Sequence, residues 1–355
     1  MSVVKSTIFL TGANGGLARA VIGRISVSPR LAQSHCIYAV RNDAAATALD
    51  ETLRGMSEIL PSYEVLKIDL SDVASVREGA AATNAKILSG EIPPIKALIL
   101  CAGHREALGQ TWTSSGLDAS FASNYLGQWL LTMLLLRGID REQGRVVVVG
   151  GWVHDPLDPR NRLNRAYTDD QWHQIITGDV TESVEAIAKG TWSASPTGSE
   201  PPDPRGLAGI RRYGAAKLCS VMMIIELQRR LDQDPKLSNI SLLGVDPGIM
   251  PTSIATNGQS WVVKPVFSLV LRIVAWFSPN GALRSPYKSA SDVLAAALQR
   301  EPPIGDRPKA LYLDGAVPKA MGVEAHDKVK RAAVWEASVK YAHLTRGETE
   351  LADWE

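Results

Sequence analysis

The chain has 355 residues, which is enough for one large or two modest domains with a substantial buried core. Its 38 Lys and Arg residues balance 37 Asp and Glu residues to a net charge of +1, so it lacks the basic field that nucleic acid or an anionic membrane would select. Hydrophobic residues make up 45% and charged residues 21%, a composition that excludes the disordered, collagen-like and polytopic membrane classes.

The cysteines and the N-terminus indicate the compartment. Cys36, Cys101 and Cys219 are odd in number and widely separated, and no CxxC pair occurs. They favour neither a disulfide framework nor a zinc site, so we expect a reducing compartment and no bound metal. Residues 1–5 lead directly into an apolar segment without a long hydrophobic region or a small-residue cleavage site. We therefore expect no secretory signal and a cytoplasmic location.

Segments with strand periodicity alternate with helical segments, a pattern typical of a parallel sheet with crossover helices. The predicted strands are residues 6–10, 35–40, 63–68, 95–100, 145–149, 240–245 and 310–313. The predicted helices are residues 15–26, 44–60, 73–88, 117–136, 213–231, 290–299 and 324–343, with a short one near 184–189. The chain shows no internal repeat or low-complexity linker, so we predict one α/β domain over residues 1–355 with seven strands.

Two irregular stretches and a C-terminal tail lie outside the alternating strands and helices. Residues 152–209 contain six prolines and three tryptophans without a sustained period, and we interpret them as an insertion. We interpret residues 249–286 as a substrate lid and residues 317–355 as a helical extension. The apolar block 261–277 is broken by two cations and a proline. A lid or core helix, a helix at a membrane interface and a membrane span are the alternatives for it, and its length disfavours the span.

Two motifs suggest chemistry. Thr11 to Ala18, with the sequence TGANGGLA, lies between the first strand and the first helix. Glycines there permit a tight turn, and the first-turn N–H groups favour a phosphate, although such turns also need glycine for positive φ alone. Tyr213 and Lys217 lie four residues apart on one helix face. A neighbouring cation favours the phenolate of a tyrosine, but this spacing also occurs by chance on many helices.

The chain carries further motifs in a fixed order: Asp69 after the third strand, LCAG at 100–103, NYLG at 124–127, and DPG at 246–248 with Thr252. Together with the glycine turn and YxxxK they resemble the short-chain dehydrogenase/reductase family over residues 6–252. The resemblance is closest to the retinol-dehydrogenase and protochlorophyllide-reductase-like branch, and residues 219–231 are similar to fungal members. It implies a Rossmann-type, doubly wound, mostly parallel sheet with helices on both faces.

The resemblance also implies roles for individual residues. Tyr213 would donate a proton to a carbonyl that receives hydride, Lys217 would bind the nicotinamide ribose and lower the phenol pKa, and Asn124 would position the lysine through water. The implied cofactor-binding residues are Gly12, Asn14, Gly15, Gly16, Leu17, Arg41, Asp69, Leu70, Ala102, Gly103, Tyr213, Lys217, Pro247, Gly248 and Thr252. Arg41 follows the second strand, where the family commonly places a cation against the adenosine 2′-phosphate, so NADP(H) is favoured over NAD(H).

Three positions depart from the family pattern. Ala18 replaces the third glycine of the turn, and Cys101 replaces an asparagine that supports the central sheet. Gly151 stands where the family has its catalytic serine. A glycine has no side chain to donate to a substrate carbonyl, and losing one such donor costs about 3 kcal/mol in the transition state.

Three explanations for Gly151 remain open. In the first, another group replaces the serine: the indole N–H of Trp152, the His154 ring or a hydroxyl from the insertion. In the second, the substrate carries its own hydroxyl near the carbonyl. In the third, the reaction is not a hydride transfer. Gly151, Trp152 and His154 are therefore candidates for the substrate pocket. A catalytic dyad of His154 with Asp155 is disfavoured because adjacent residues of an extended segment point in opposite directions.

The sequence thus predicts an NADP(H)-dependent oxidoreductase that reduces a carbonyl, or oxidises an alcohol, of a fairly large apolar small molecule, of the kind made in fungal secondary metabolism. The alternatives are a non-redox cyclase, isomerase or dehydratase on the same scaffold, and a nucleotide-binding protein without turnover. We expect no nucleic-acid partner and no membrane span, with peripheral membrane contact through 261–277 left open. The resemblance implies a homodimer or a tetramer through the helices at 117–136 and 213–231, unless the tail 317–355 blocks or redirects these contacts.

Overall fold

The computed structural model describes residues 4–56, 61–106, 108–197, 203–250 and 281–355. Its strands are β1 (Ser6–Thr11), β2 (Ser34–Val40), β3 (Ser62–Lys67), β4 (Ile95–Leu100), β5 (Arg145–Val149), β6 (Ser241–Asp246), β7 (Leu311–Asp314) and β8 (Val317–Pro318). They form one sheet in the order β3-β2-β1-β4-β5-β6-β7-β8, and each neighbouring pair is parallel except β7 and β8. The predicted doubly wound α/β class is confirmed. The described sheet has eight strands rather than seven, because Val317–Pro318 turns back along β7.

Helices cover both faces of the sheet. They are α1 (Gly16–Ser26), α2 (Thr47–Arg54), α3 (Val73–Leu88), α4 (Ala119–Phe121), α5 (Gly127–Leu135), α6 (Val180–Lys189), α7 (Leu207–Gln233), α8 (Pro286–Leu298) and α9 (Lys328–Ala342). A π-helical turn, Ala122–Leu126, joins α4 to α5. Buried side chains of α1, α2 and α8 form a core on one face, and those of α3, α5 and α7 form a core on the other. The β-branched residues of β5 are buried, as expected of a central parallel strand.

The C-terminal helix α9 packs outside the second face, against α5 and α7. The rings of Trp335 and Trp129 meet edge to face with their centroids 5.2 Å apart. The hydroxyls of Tyr125 and Ser338 lie 2.6 Å apart within the same buried contact. Because these side chains are fully buried, the C-terminal residues are part of the folded core rather than an appended tail.

The insertion is irregular apart from α6 and several short 3₁₀ turns. The short helix predicted near 184–189 is present and begins earlier, at Val180, because the Asp179 carboxylate caps it by accepting from the Glu182 N–H at 3.0 Å. Trp172 and Trp192 pack edge to face with their centroids 5.4 Å apart. These two tryptophans therefore stabilise a segment that contains little regular structure.

The insertion and the C-terminal extension hold each other in place. The Glu324 carboxylate accepts hydrogen bonds from the backbone N–H groups of Ile175 and Ile176, at 3.0 and 2.7 Å. Lys319 forms an ion pair with Asp158 at 2.8 Å. Both additions thus contact one another beside the carboxyl end of β7.

Several sequence predictions concern residues outside the described ranges. These are Thr252, the apolar block 261–277, and the lid 249–286 except for its first two and last six residues. Among the helices of the described chain, none has the length and apolar character needed to cross a membrane. In the same residues there is also no group of three or more His, Cys, Asp or Glu side chains arranged to hold a metal ion.

Candidate active site

A cavity of about 1180 Å³ opens at the carboxyl ends of the parallel strands. It extends from the glycine turn after β1 to the irregular segment after β5. Every described residue that the sequence predicted for the site lines this cavity, apart from Asn124 and His154. The cavity thus brings together predicted residues from seven separate parts of the chain at the edge where doubly wound folds bind ligands.

The glycine turn presents backbone rather than side chains to the cavity. Gly12 has φ +68°, and a Cβ there would lie 2.6 Å from the Ala102 Cα, so no other residue fits without displacing the backbone. Helix α1 starts at Gly16, and no side chain caps its first N–H groups. These N–H groups and the helix dipole are suited to a phosphate. The Asn14 side chain braces the turn, since its Oδ1 accepts from the Leu49 N–H at 2.9 Å.

The next part of the cavity lies at the ends of β2 and β3. Arg41 is exposed, and within the described ranges it forms no ion pair. Asp69 Oδ1 accepts from both the N–H and the hydroxyl of Ser71, at 2.9 and 2.6 Å, which fixes the loop that carries Leu70. A Cβ on Gly127 would overlap the Leu70 carbonyl oxygen, so the loop rests directly on the start of α5. This end of the cavity therefore offers one exposed cation and a rigid polar loop.

The structure shows how the chain compensates for Cys101. The Thr11 hydroxyl accepts from the N–H groups of Cys101 and Ala102, at 3.0 and 3.1 Å, and so ties the end of β1 to the loop after β4. Burial raises the pKa of the Cys101 thiol to about 12, so it is neutral at physiological pH. The position supports the sheet through its backbone, and a side-chain amide is not required there.

Asn124 lies in the π-helical turn and does not line the cavity. Its side chain holds the loop after β4, because Oδ1 accepts from the His104 N–H at 2.7 Å and Nδ2 donates to the His104 carbonyl at 2.8 Å. The Asn124 carbonyl, released from the regular helical ladder, accepts from Gln128 Nε2 at 2.9 Å. Asn124 therefore positions a loop of the site, and the lysine is held by another group.

That group is the end of β5. Lys217 Nζ donates to the Val149 carbonyl at 2.7 Å and lies 5.6 Å from the centroid of the Tyr213 ring. Burial lowers the pKa of Lys217 to about 8 and raises the pKa of Tyr213 to about 12. In this geometry burial raises the phenol pKa, and the expected lowering by Lys217 stays a prediction. Burial is the largest cause of the raised Tyr213 pKa, and the positive charge of Arg105 acts in the opposite direction.

Two glycines follow β5 and differ in their surroundings. A Cβ on Gly150 would lie 2.5 Å from the Tyr312 hydroxyl oxygen, whereas a Cβ on Gly151 would find its nearest neighbour 3.8 Å away, in the Val153 side chain. The Gly151 backbone is extended, and its N–H donates to the Tyr312 hydroxyl at 3.0 Å. The space that a serine side chain would occupy at Gly151 is therefore open.

His154 does not line this cavity, and its role in a substrate pocket stays a prediction. The ring is buried, Nδ1 lies 2.7 Å from the Gly151 carbonyl, and Nε2 accepts from the Gly322 N–H at 3.0 Å. This arrangement requires a neutral ring with its proton on Nδ1, in agreement with a pKa that burial lowers. His154 thus connects the end of β5 to the C-terminal extension.

Trp152 does line the cavity, and the Arg160 guanidinium lies 4.7 Å from its ring centroid. Arg160 is bound to Asp158, Asp246 and Asp314 at 2.8, 3.2 and 3.0 Å, respectively. This network attaches the insertion to the ends of β6 and β7. It fixes one face of the indole, and Arg160 and Asp246 themselves line the cavity beside Trp152.

Sequence reasoning missed Arg105, which lines the cavity in the loop after β4. Its charge acts on the Tyr213 phenol, and burial lowers the pKa of the guanidinium without neutralising it. One signal was present in the sequence: a loop at the carboxyl end of a central parallel strand faces the ligand edge of the sheet, and Arg105 lies only two residues after Gly103.

The fold is a Rossmann-type α/β fold, and the cavity lies at the edge of the sheet where such folds bind ligands. No protein-family model matches the chain. The chain is 40% identical to the short-chain dehydrogenase iccH of Talaromyces variabilis over 99% of both chains, and it therefore belongs to the short-chain dehydrogenase/reductase family. It is also 24% identical to the protochlorophyllide reductase of Avena sativa, over 95% of this chain and 99% of that one. Among solved structures, the NADPH-bound carbonyl reductase from chicken fatty liver matches with a TM-score of 0.54 at 12% identity, over 90% of this chain and 100% of that one.

Proposed function

We propose that the protein is an NADP(H)-dependent reductase that converts a carbonyl group of a fairly large apolar molecule to an alcohol, or catalyses the reverse oxidation. The observation that carries this proposal is the single cavity of about 1180 Å³ that joins the glycine turn to Tyr213 and Lys217. Membership of an oxidoreductase family supports it, and so do the names of the similar proteins, which include a reductase that binds NADPH.

The residues present suit the cofactor. Gly12 leaves no room for a side chain between the turn and Ala102, and the uncapped N-terminus of α1 faces the same space, as a pyrophosphate requires. Arg41 offers a guanidinium at the end of β2, which suits a 2′-phosphate and favours NADP(H). When bound in its reduced form, this cofactor would supply hydride to the carbonyl carbon.

Tyr213 and Lys217 provide the proton chemistry. A phenol pKa of about 12 keeps Tyr213 protonated at neutral pH, so it is ready to donate its proton to the oxygen of a carbonyl that accepts hydride. Lys217 has a pKa of about 8, so it is mostly charged at pH 7. One of its three N–H groups is used by the Val149 carbonyl, and the others are suited to the nicotinamide ribose hydroxyls.

The other half of the cavity suits an apolar substrate. Trp152, Trp112, Leu163 and Ile210 line it, and three of these belong to the insertion or to the helix that follows it. We propose that the insertion, together with the lid predicted over 249–286, encloses a substrate larger than a simple ketone, as would suit secondary metabolism. We also propose a cytoplasmic location, because Cys36, Cys101 and Cys219 are all free thiols, as suits a reducing compartment.

The oligomeric state follows from α9. The helices through which the family resemblance implies a dimer are α5 and α7 together with their flanking turns, and α9 packs against both. This contact supports a monomer, or a dimer formed through another face. The measurement is the mass of the purified chain in solution by light scattering.

A non-redox reaction is the second candidate, and Gly151 is the observation that favours it. Without a hydroxyl at this position the chain lacks a donor that the family uses on a carbonyl oxygen. A cyclase, isomerase or dehydratase would use Tyr213 as an acid without a hydride step. Product mass separates the two candidates, because reduction adds two hydrogens and isomerisation adds none.

The test uses the full chain with NADPH or NADH and 9,10-phenanthrenequinone, a flat apolar diketone. We expect NADPH oxidation that depends on the diketone, a product two hydrogens heavier, and at least a hundredfold loss in Tyr213→Phe. Tyr287→Phe is the matched control, because Tyr287 is exposed and lies beside Arg24, outside the cavity. Arg41→Ala should reduce the preference for NADPH over NADH. Turnover of a substrate without nicotinamide would contradict the proposal.

A further inference from the structure

The half of the cavity around Gly151 contains a cation that the proposed mechanism has not yet used. Arg105 lines the cavity together with Tyr213 and Gly151, and it is only partly exposed. Its charge and the Tyr213 phenol act on each other. The reacting oxygen of a substrate must lie against that phenol, so Arg105 and the reaction share one cavity, and the charge of Arg105 acts on the phenol.

The loop that carries Arg105 is held on both sides. On one side, Asn124 bonds to both the N–H and the carbonyl of His104, at 2.7 and 2.8 Å. On the other side, the Glu106 carboxylate accepts from the N–H and the hydroxyl of Thr111, at 3.2 and 2.6 Å. The backbone of Arg105 is therefore fixed by its two neighbours, as expected of a residue that must point accurately.

Besides Arg105, the described arginine and lysine residues that line the cavity are Arg160, Lys217 and Arg41. Arg160 is bound to three carboxylates within 3.2 Å, so its charge is balanced locally. Lys217 donates to the Val149 carbonyl and lies toward the proposed ribose site. Arg41 lies at the opposite end, after β2. The cation whose charge acts on the phenol, and thus on the reacting oxygen, is Arg105.

We infer, on the basis of the proposed reductase function, that Arg105 is a catalytic residue that donates hydrogen bonds to the substrate carbonyl oxygen in place of the hydroxyl that Gly151 lacks. A guanidinium is suited to this task, since it is always charged and presents several N–H donors in one plane. The proposed role of Arg105 also explains how the chain could reduce a carbonyl without a side-chain hydroxyl at Gly151.

In the proposed step, the carbonyl carbon would accept hydride from the reduced nicotinamide, and the π electron pair of the carbonyl would move to its oxygen. The Arg105 N–H groups stabilise the negative charge that develops there without giving up a proton. Tyr213 donates its phenol proton to that oxygen, which becomes the alcohol hydroxyl. The substrate is reduced, and the dinucleotide is oxidised.

The test measures kcat and KM for 9,10-phenanthrenequinone with NADPH in Arg105→Met, Arg105→Lys and the double variant Arg105→Met with Gly151→Ser. We expect Arg105→Met to lower kcat about a hundred- to thousandfold with little change in KM. Arg105→Lys should stay within about tenfold of wild type, because it keeps a charged donor. A serine at Gly151 should restore Arg105→Met at least tenfold, since the new hydroxyl takes over the same role.

The matched control is Arg211→Met. Arg211 is also a partly buried arginine, but it bonds to Ser193 and to the Ala166 carbonyl and lies outside the cavity. Its removal should leave kcat within threefold of wild type. Folding is checked by NADPH binding, measured as energy transfer from tryptophan, which Arg105→Met should retain.

Each other outcome is decisive. A raised KM with unchanged kcat would mean that Arg105 only anchors the substrate, and would overturn the inference. A loss without rescue by serine, or an equal loss in Arg211→Met, would overturn it as well. If the wild-type chain binds NADPH but reduces no diketone, the proposed reductase function fails and the inference fails with it. If the wild type is active and Arg105→Met is equally active, the inference alone fails.

Discussion

The two halves of the cavity are built in different ways. The half proposed to bind the cofactor, here called the cofactor half, is formed by backbone: glycines that leave no room for side chains, the uncapped N–H groups of α1, and loops fixed by Thr11 and Asp69. The half proposed to bind the substrate, here called the substrate half, is formed by side chains from distant segments, such as Arg105, Trp152 and Tyr213. The first half tolerates few residue types and the second can vary, so one scaffold can serve different substrates.

Gly12→Ala is expected to have the largest effect, because it breaks the backbone half. The added Cβ would lie 2.6 Å from the Ala102 Cα in a residue with φ +68°. Backbone cannot yield there, so we expect loss of stability of about 2 kcal/mol or more and at least hundredfold weaker NADPH binding. Chemical denaturation and a tryptophan-to-NADPH energy-transfer titration measure both quantities.

Gly23→Ala is the control for that change. Gly23 lies inside α1, and a Cβ there meets no atom within 4 Å. It should stabilise the chain by up to about 1 kcal/mol, because alanine favours the helix, and leave NADPH binding unchanged. Equal binding by Gly12→Ala and wild type would contradict the assignment of the backbone half.

Lys217 lies where the two halves meet, and its burial gives a pH signature. Its pKa falls from an ordinary value of 10.5 to about 8. Between these two pKa values the unfolded chain binds more protons than the folded chain. The contribution of Lys217 to the free energy of unfolding therefore increases as the pH rises from about 8 to 10.5. Relative to Lys217→Met, the wild-type free energy of unfolding should increase by about 1 to 2 kcal/mol between pH 8 and pH 9.5.

Denaturant titrations of both proteins at several pH values provide the measurement. Lys340→Met serves as the matched control, because Lys340 is an exposed lysine on α9 and its loss should not change the slope. A difference between wild type and Lys217→Met that is independent of pH would show that the ammonium is not buried as the structure has it.

The sequence could predict the backbone half well. Alternating periods predicted the strands up to β7. The family resemblance carried by TGANGG, LCAG and YxxxK implied that the glycines, the loops and Tyr213 belong to one site, and these residues line one cavity at the edge of the sheet. These predictions work because backbone geometry restricts the residue types. β8 was missed because two exposed residues carry no periodicity.

The side-chain contacts of the substrate half could not be predicted from the sequence in the same way. His154 looked like a pocket residue by its position after β5, but its role depends on Gly322, 168 residues away. The expected role of Asn124 in positioning Lys217 through water stays a prediction, and its bonds to the His104 backbone were not foreseen from the sequence. Arg105 has no motif at all. Such contacts are set by tertiary packing, which local sequence does not encode.

Gly151→Ser has the smallest expected effect, and it is best compared with the same substitution at Gly150, the other glycine that follows β5. At Gly150 a new side chain would meet the Tyr312 hydroxyl at 2.5 Å, so Gly150→Ser should cost about 1 to 3 kcal/mol of stability. At Gly151 the nearest atom is 3.8 Å away and the backbone is extended, so serine should fit with a stability change below about 0.5 kcal/mol. If Arg105 already serves the carbonyl oxygen, kcat for the diketone should change less than threefold. A tenfold increase would show instead that a donor is missing from the wild-type site, and the substrate half would then be incomplete for reduction.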